Sequence, residues 1–428
     1  MSHRPILLLL TGLACAPAAG AQSITSRIGS QRDGYVGIAY AARADVCGHG
    51  TDYIRIGTGT FLSGGGWVTT DGDGNDSRDC ERGPVRVLIT RAEGRTVGLK
   101  VGVAGGPWPA GTTDLGTVGA SLAAEYFLGM AAETDGRLGR EALLPAVLAD
   151  SAAAWRGLIR IALDRKLSRG LRESATGWLG REASWQGADV SKDITTSLTA
   201  IAGNREEPAS LRSRAVSSLG RNQVTGTAAL VRLADSEDPV VSRAAMRSLG
   251  RSSDPRAREV LRTKVRDGAL PEGTRHEAIR SLGGSDAMPS DYALLREIWP
   301  TLPDGSSREA VLESLAEAGG ADNVRWLLQQ AGSATLPASD RARAVRAAGR
   351  AGANTDELSK LYDAGQDRRV KEALLDALIR IGDRASIDKV TSIAQSETDV
   401  QIRRAAINRL AKLGDEKANA VLKDMVER

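Results

Sequence analysis

Hydrophobic positions along this chain follow two different periods. Between Tyr35 and Val103 they alternate in short runs among Gly, Thr and Val, most clearly in Val85-Arg86-Val87-Leu88-Ile89-Thr90-Arg91. Ala92-Glu93-Gly94 separates this run from a second, Arg95 to Val103, and two period-two runs joined by a Gly-containing turn predict a β-hairpin. Tyr35 to Ala42, Tyr53 to Ile56 and Gly66 to Thr70 are expected as further strands. Pro107, Pro109 and Gly111 then punctuate the chain, and from Ala120 onward apolar residues recur at helical spacing. The expectation is a small β domain over residues 22–118, followed by helices over 119–428.

The helical part repeats itself. Ala215-Val216-Ser217-Ser218-Leu219-Gly220-Arg221 is matched by Ala245-Met246-Arg247-Ser248-Leu249-Gly250-Arg251 and by Ala278-Ile279-Arg280-Ser281-Leu282-Gly283. Key apolar positions fall at Leu179, Leu219, Leu249, Leu282, Leu315, Ala348, Leu378 and Leu410, with spacings of 40, 30, 33, 33, 33, 30 and 32. A sustained period of this length is the signature of a solenoid, in which no helix pair buries its apolar face alone and stacking supplies the core. In the last unit Ile402, Ala406, Leu410 and Leu413 stripe a first helix and Ala418, Val421, Leu422 and Met425 a second, with Gly414-Asp415 between them. Asp238-Pro239 and Ser253-Asp254-Pro255 have the form of an N-cap followed by proline at the first helical position. An insertion after Arg181 lengthens the first spacing, and Glu141 to Leu167 reads as a degenerate pair inside an N-terminal cap over 119–167.

Asp399-Val400-Gln401-Ile402-Arg403-Arg404-Ala405-Ala406 with Leu410-Ala411-Lys412-Leu413-Gly414-Asp415 resembles the HEAT-like repeat of the phycobilisome-lyase type, and Asp367 to Asp383 and Asp238 to Asp254 repeat it with variations. The resemblance covers residues 138–428. It implies a mainly α protein, a HEAT-like solenoid of about eight helix pairs preceded by a small β domain. Together with an N-terminal export signal and sparse catalytic signatures, it implies an exported, non-enzymatic interaction scaffold that binds another protein; the alternatives are a lyase-like or hydrolytic enzyme, or a calcium-binding envelope component with its site in the β domain.

The N-terminus carries the export signal. His3-Arg4 is a short basic start, Ile6 to Ala14 is apolar but too short to span a bilayer, and Ala19-Gly20-Ala21 has the small-x-small form of a cleavage site. Residues 1–21 are therefore expected as a signal peptide and the mature chain as periplasmic or secreted. A lipoprotein site at Cys15, after Gly12-Leu13-Ala14, is the alternative. In an oxidising compartment the two remaining cysteines, Cys47 and Cys80, are expected to form a disulfide. Zinc held by Cys47, His49 and Cys80 is the competing arrangement, against which stands the usual need for four ligands.

Charge adds little to this picture: 57 Lys plus Arg against 53 Asp plus Glu leave a net +4, far from the concentrated field of a nucleic-acid binder. Arg supplies most of the positive charge along the whole chain, which looks like genome composition. Catalytic signatures are sparse. The mature chain holds two histidines, His49 and His276, and none of Gly-x-Ser-x-Gly, His-Glu-x-x-His or a phosphate-binding glycine loop. Asp71, Asp73, Asn75 and Asp79 resemble the opening of a calcium loop, but Asp76 occupies the glycine position and Arg82 the place of the closing Glu. A solvated acidic loop is the preferred reading, so no cofactor is expected, with calcium at this loop as the alternative. Arg251, Arg256, Arg258, Arg262, Lys264 and Arg266 crowd one repeat and form the candidate surface for an acidic protein partner. Arg181, Arg221, Arg251 and Arg350 follow a helix-ending glycine, where positive charge favours a helix C-terminus.

Overall fold

The computed structural model describes residues 23–57, 59–62, 66–69, 80–222, 225–303 and 305–413. The expected signal peptide with Cys15, the acidic residues Asp71, Asp73, Asn75 and Asp79, and the final helix around Val421 lie outside them. The chain divides into two compact units, Met1–Trp178 and Leu179–Arg428. Helical spacing begins at Ala120, but the boundary between units falls later, so the first helices group with the strands.

In the first unit a short helix α1 (Ile24–Gly29) precedes eight strands: β1 (Gly34–Tyr40), β2 (Val46–His49), β3 (Tyr53–Ile56), β4 (Gly59–Leu62), β5 (Gly66–Thr69), β6 (Val85–Ala92), β7 (Arg95–Val103) and β8 (Thr112–Thr117). They form two four-stranded sheets, ordered β7-β6-β1-β8 and β2-β3-β4-β5. The expected hairpin is β6–β7, antiparallel from Val85↔Val103 to Ala92↔Arg95, and it turns on Glu93 and Gly94, both at positive φ. Strands β2, β4 and β8 were not legible in the hydrophobic pattern, because β2 and β4 have only four residues each and β8 contains little besides Gly, Thr and Asp. β8 pairs parallel with β1, across a register shift between Gly37 and Ala39.

Alternation places Val36, Ile38 and Tyr40 of β1 beside Val85, Val87 and Ile89 of β6 in the core, all at most 1% exposed. Helices α2 (Ala120–Thr134), α3 (Gly136–Val147) and α4 (Ala154–Leu163) complete this unit. Tyr40 donates its hydroxyl to the Pro145 carbonyl at 2.7 Å and meets the Phe127 ring at 6.3 Å, so one side chain joins β1 to α2 and α3. On the other side of β1, Trp108 lies against Gly37, where a Cβ would come within 2.8 Å of the indole, and Arg86 covers the same ring at 3.9 Å.

Helix α5 (Arg169–Trp185) contains the unit boundary. The second unit continues with α6 (Ala188–Gly203), α7 (Ala209–Leu219), α8 (Gly226–Ala234), α9 (Pro239–Gly250), α10 (Pro255–Arg266), α11 (Glu272–Leu282), α12 (Pro289–Ile298), α13 (Gly305–Ala318), α14 (Ala321–Gly332), α15 (Ala338–Ala351), α16 (Thr355–Asp363), α17 (Arg368–Ile381), α18 (Arg384–Ser396) and α19 (Val400–Leu413). The insertion after Arg181 is taken up by extending α5 to Trp185 and by a 16-residue α6, against 9 residues in α8.

From α7 to α19 each odd-numbered helix packs on the next odd-numbered one, and the even-numbered helices form a second row through α6, α8, α10 and α12 and through α14, α16 and α18. This is an α-solenoid. All eight key positions lie on odd-numbered helices and are at most 1% exposed, so the period read from the sequence is the period of one row of stacked helices. Asp238 and Asp254 cap α9 and α10 by accepting the Val240 and Arg256 backbone N–H groups, with proline following each.

In the repeats of α5, α7, α9 and α11 the glycine after the key leucine has another purpose than ending a helix. Gly180 lies within α5, Gly250 is the last residue of α9, and Gly220 caps α7 at φ −65°, none of them in the left-handed region. A Cβ on Gly180 would stand 2.8 Å from the Ser218 backbone, one on Gly220 2.9 Å from Ser248 Cβ, and one on Gly283 2.5 Å from Ser314 Cβ. The Ser-x-Gly spacing therefore records a close approach between successive helices of the row.

Candidate interaction surface

Arginines near the start of the odd-numbered helices turn inward to the connections between repeats. Arg308 donates to the Leu302 carbonyl at 3.0 Å and pairs with Asp340 at 3.1 Å; Arg341 donates to the Ala331 carbonyl at 3.1 Å and pairs with Asp367 at 3.3 Å. Arg212 reaches Asp238, the cap of the following odd helix, at 2.8 Å, with both side chains 12% exposed. Lys371 takes this place in the next repeat. Its ammonium lies 2.8 Å from Glu397, which also accepts the Tyr362 hydroxyl at 2.5 Å. Those two donors hold the Glu397 carboxyl down at about 2, while burial pushes the Tyr362 hydroxyl up. Much of the arginine in this chain thus locks one repeat to the next.

Most of the candidate basic cluster on α10 is likewise engaged in ion pairs. Arg258 and Arg262 each place a nitrogen 2.7 Å from a different oxygen of Asp291, whose side chain is fully buried at the start of α12. Asp291 accepts the Met288 backbone N–H at 2.8 Å as well. Arg256 lies 2.7 Å from Asp254, and Lys264 pairs with Asp235. Only Arg251 and Arg266 have no carboxylate against them among the described residues. Sequence spacing shows which charges are close along one helix, but Asp291 arrives from the next even-numbered helix, out of reach of that signal.

Cys47 and Cys80 are joined in a disulfide with their Cα atoms 5.3 Å apart. Beside it Gly48 and Glu81 exchange two backbone hydrogen bonds of 3.0 Å, so the link sits where Glu81 is already pinned to β2. With both sulfurs bonded, the zinc arrangement has no thiolate to offer, and among the described residues no three His, Cys, Asp or Glu side chains converge on one point. His49 is exposed on β2 in the first unit, and His276 is half-buried on α11 in the second.

A line of charges runs along the outer face of the odd-numbered row. Arg247 on α9 lies 2.7 Å from Glu277 on α11, Arg343 on α15 lies 3.7 Å from Glu309 on α13, and Arg409 on α19 lies 2.7 Å from Asp376 on α17. These bridges between successive helices keep the face polar and in register over most of the row.

Residues 195–283 and 355–428 match the family model described as HEAT repeats. The protein therefore carries HEAT repeats. No curated protein matches the chain. Among solved structures, human deoxyhypusine hydroxylase in complex with glycerol is 17% identical, the match covering 63% of this chain and 96% of that one at a TM-score of 0.26. The complex of CpcE and CpcF of phycocyanin lyase from Nostoc sp. PCC7120 is 19% identical, covering 64% and 94% at 0.23. Kap121p is 14% identical, covering 68% of this chain and 32% of that one at 0.40. Likeness at this level says nothing of what the HEAT-repeat array here binds or does. No described helix is long and apolar enough to cross a membrane.

Proposed function

We propose that this HEAT-repeat protein is a non-enzymatic scaffold, exported from the cytoplasm, that binds another protein along the exposed face of its odd-numbered helices. One observation carries this reading. Each odd-numbered helix packs on the next from α7 to α19, and glycine-to-serine contacts keep α5 to α13 close and in register, so that exposed side chains from successive repeats lie along one continuous face. Solenoids characteristically bind through such extended surfaces. Export rests on the basic start, short apolar run and Ala19-Gly20-Ala21 of the N-terminus, and the Cys47–Cys80 disulfide agrees with an oxidising destination.

Chemical cross-linking of the mature protein in envelope extracts, followed by mass-spectrometric mapping, tests the reading. The expected result is a reproducible protein partner linked to side chains on α7 to α19. Links confined to residues 23–118, or none above those of an unrelated exported control protein, would overturn it.

A further inference from the structure

Charge on the odd-numbered face changes character along the row. From α9 onward its arginines meet carboxylates on neighbouring odd helices, as Arg247 meets Glu277 and Arg343 meets Glu309. Before that point Arg212 turns inward to Asp238, and the exposed arginines of this face have no described carboxylate against them. Helices α7 and α9 contain no Asp or Glu at all, and the one carboxylate in Leu179–Trp185, Glu182, is buried and accepts a hydrogen bond from Gln186 at 3.0 Å. Arg214, Arg221 and Arg251 are exposed and pair with no carboxylate among the described residues. Half-buried Arg181 extends the series toward α5.

The glycine contacts put these arginines in register. Gly180 lies on Ser218, Gly220 on Ser248 and Gly250 on Ser281, and Arg181, Arg221 and Arg251 each come directly after one of those glycines. Each thus follows the same contact on successive helices, and Arg214 stands on α7, whose end Arg221 follows. They also feel one another. Surrounding protein and then Arg221 and Arg214 hold the Arg181 guanidinium down at about 10, and Arg221 is lowered by the same burial and by Arg214 and Arg251. Favourable charge at a helix C-terminus accounts for Arg221 and Arg251 singly, but not for exposed Arg214, Arg221 and Arg251 standing together with no described carboxylate against them.

We propose that Arg214, Arg221 and Arg251, continued by Arg181, form a ladder that binds an acidic segment of the protein partner, in extended conformation across the odd-numbered helices. This rests on the scaffold reading and names its surface. Stacked helices lie about 8–10 Å apart, and an extended chain in polyproline II form, with three residues per turn and about 3.1 Å of rise each, presents a carboxylate at every third position on one face, about one per helix. Arginine also offers a fork that receives a carboxylate through two hydrogen bonds. A long polyanion such as nucleic acid fits less well. It would run on toward Glu277, Glu309 and Glu313 of the same row, whereas a short acidic segment ends before them.

Fluorescence anisotropy of the mature full-length protein tests the proposal. The probes are a labelled peptide with glutamate at every third position over about a dozen residues, its lysine counterpart, and an oligothymidylate of equal charge. The expected result is binding of the glutamate peptide alone, weakened about tenfold or more by the combined Arg214→Gln, Arg221→Gln and Arg251→Gln substitutions. Arg325→Gln, on even-numbered α14 with its own Asp322, should leave it unchanged. Because three substitutions could disturb the helix ends, the unmodified protein gives a second readout: affinity should fall as salt shortens the screening length. Equal binding by the triple variant in folded form, tighter binding of the oligonucleotide, or no salt dependence would overturn the ladder. A cross-linked partner mapped only to α13–α19 would do so too while leaving the scaffold reading standing.

Discussion

Gly250 and Ser281 sit so close that a Cβ on the glycine would be 2.8 Å from the serine carbonyl oxygen and 2.9 Å from its Cβ. That contact joins α9 to α11, and its counterparts at Gly180, Gly220 and Gly283 join the helices before and after.

Alanine at Gly250 should therefore destabilise the protein by about 1–3 kcal/mol, the usual cost of overpacking. Helix propensity alone gives the opposite sign, a gain of about 1 kcal/mol. Gly129 on α2 has nothing within 4 Å of a built Cβ and supplies the contrast. Gly129→Ala should raise the melting temperature and Gly250→Ala should lower it; a rise in both would sink the close-contact account.

Asp291 is the buried anchor of two arginines, and removing it leaves Arg258 and Arg262 without their counter-charge. Asp291→Ala should cost about 3–5 kcal/mol, as when one member of a buried pair is lost. Arg256→Gln, whose exposed guanidinium contacts Asp254, should shift chemical denaturation midpoints little by comparison. Equal effects of the two would show that Asp291 is not the anchor described.

The Glu397 carboxyl is held at about 2 by Lys371 and Tyr362 against an ordinary value of 4.5. Its folded pKa is depressed, so its contribution is complete above the unfolded value and is lost as pH falls through about 4.5 toward 2. Glu397→Gln should thus lower stability by about 1–3 kcal/mol at neutral pH and by progressively less below pH 4.5. A difference between the two proteins that stays constant from pH 6 to pH 3, measured by urea unfolding, would contradict this pairing.

Reduction of Cys47–Cys80 should loosen the first unit. The cysteines are separated by 33 residues, and closing a loop of that size stabilises by about 3–4 kcal/mol in the chain-entropy description. The full-length protein should melt at lower temperature with reductant, and Cys47→Ser with Cys80→Ser should match the reduced form. Two free thiols titrated in the unreduced, unfolded protein would show that the bond is not made.

The solenoid was legible because stacking requires the same apolar residue at the same place in each unit; Leu219, Leu249 and Leu282 are spaced by the physics of a repeated contact. The β6–β7 hairpin was legible because alternation and Glu93-Gly94 agree on one turn. β2 and β8 were not, since a short strand held by its neighbours needs no strong pattern of its own. The pairing of Arg258 and Arg262 with Asp291 was not legible for a related reason: a list of charges along one helix omits the carboxylate brought by another.

What the sequence determined by itself is the order of things along the chain: strands then helices, the period of the array, the caps at Asp238 and Asp254, and which residues face the core. These follow from interactions within a few residues or from a pattern repeated many times. Tertiary structure decided which charges are spent and which remain. Arg258 and Arg262 look as available in the sequence as Arg221 and Arg251, yet packing delivers Asp291 to the first pair and no described carboxylate to the second. An ion pair depends on where two distant segments meet, and only the stacked array brings them there.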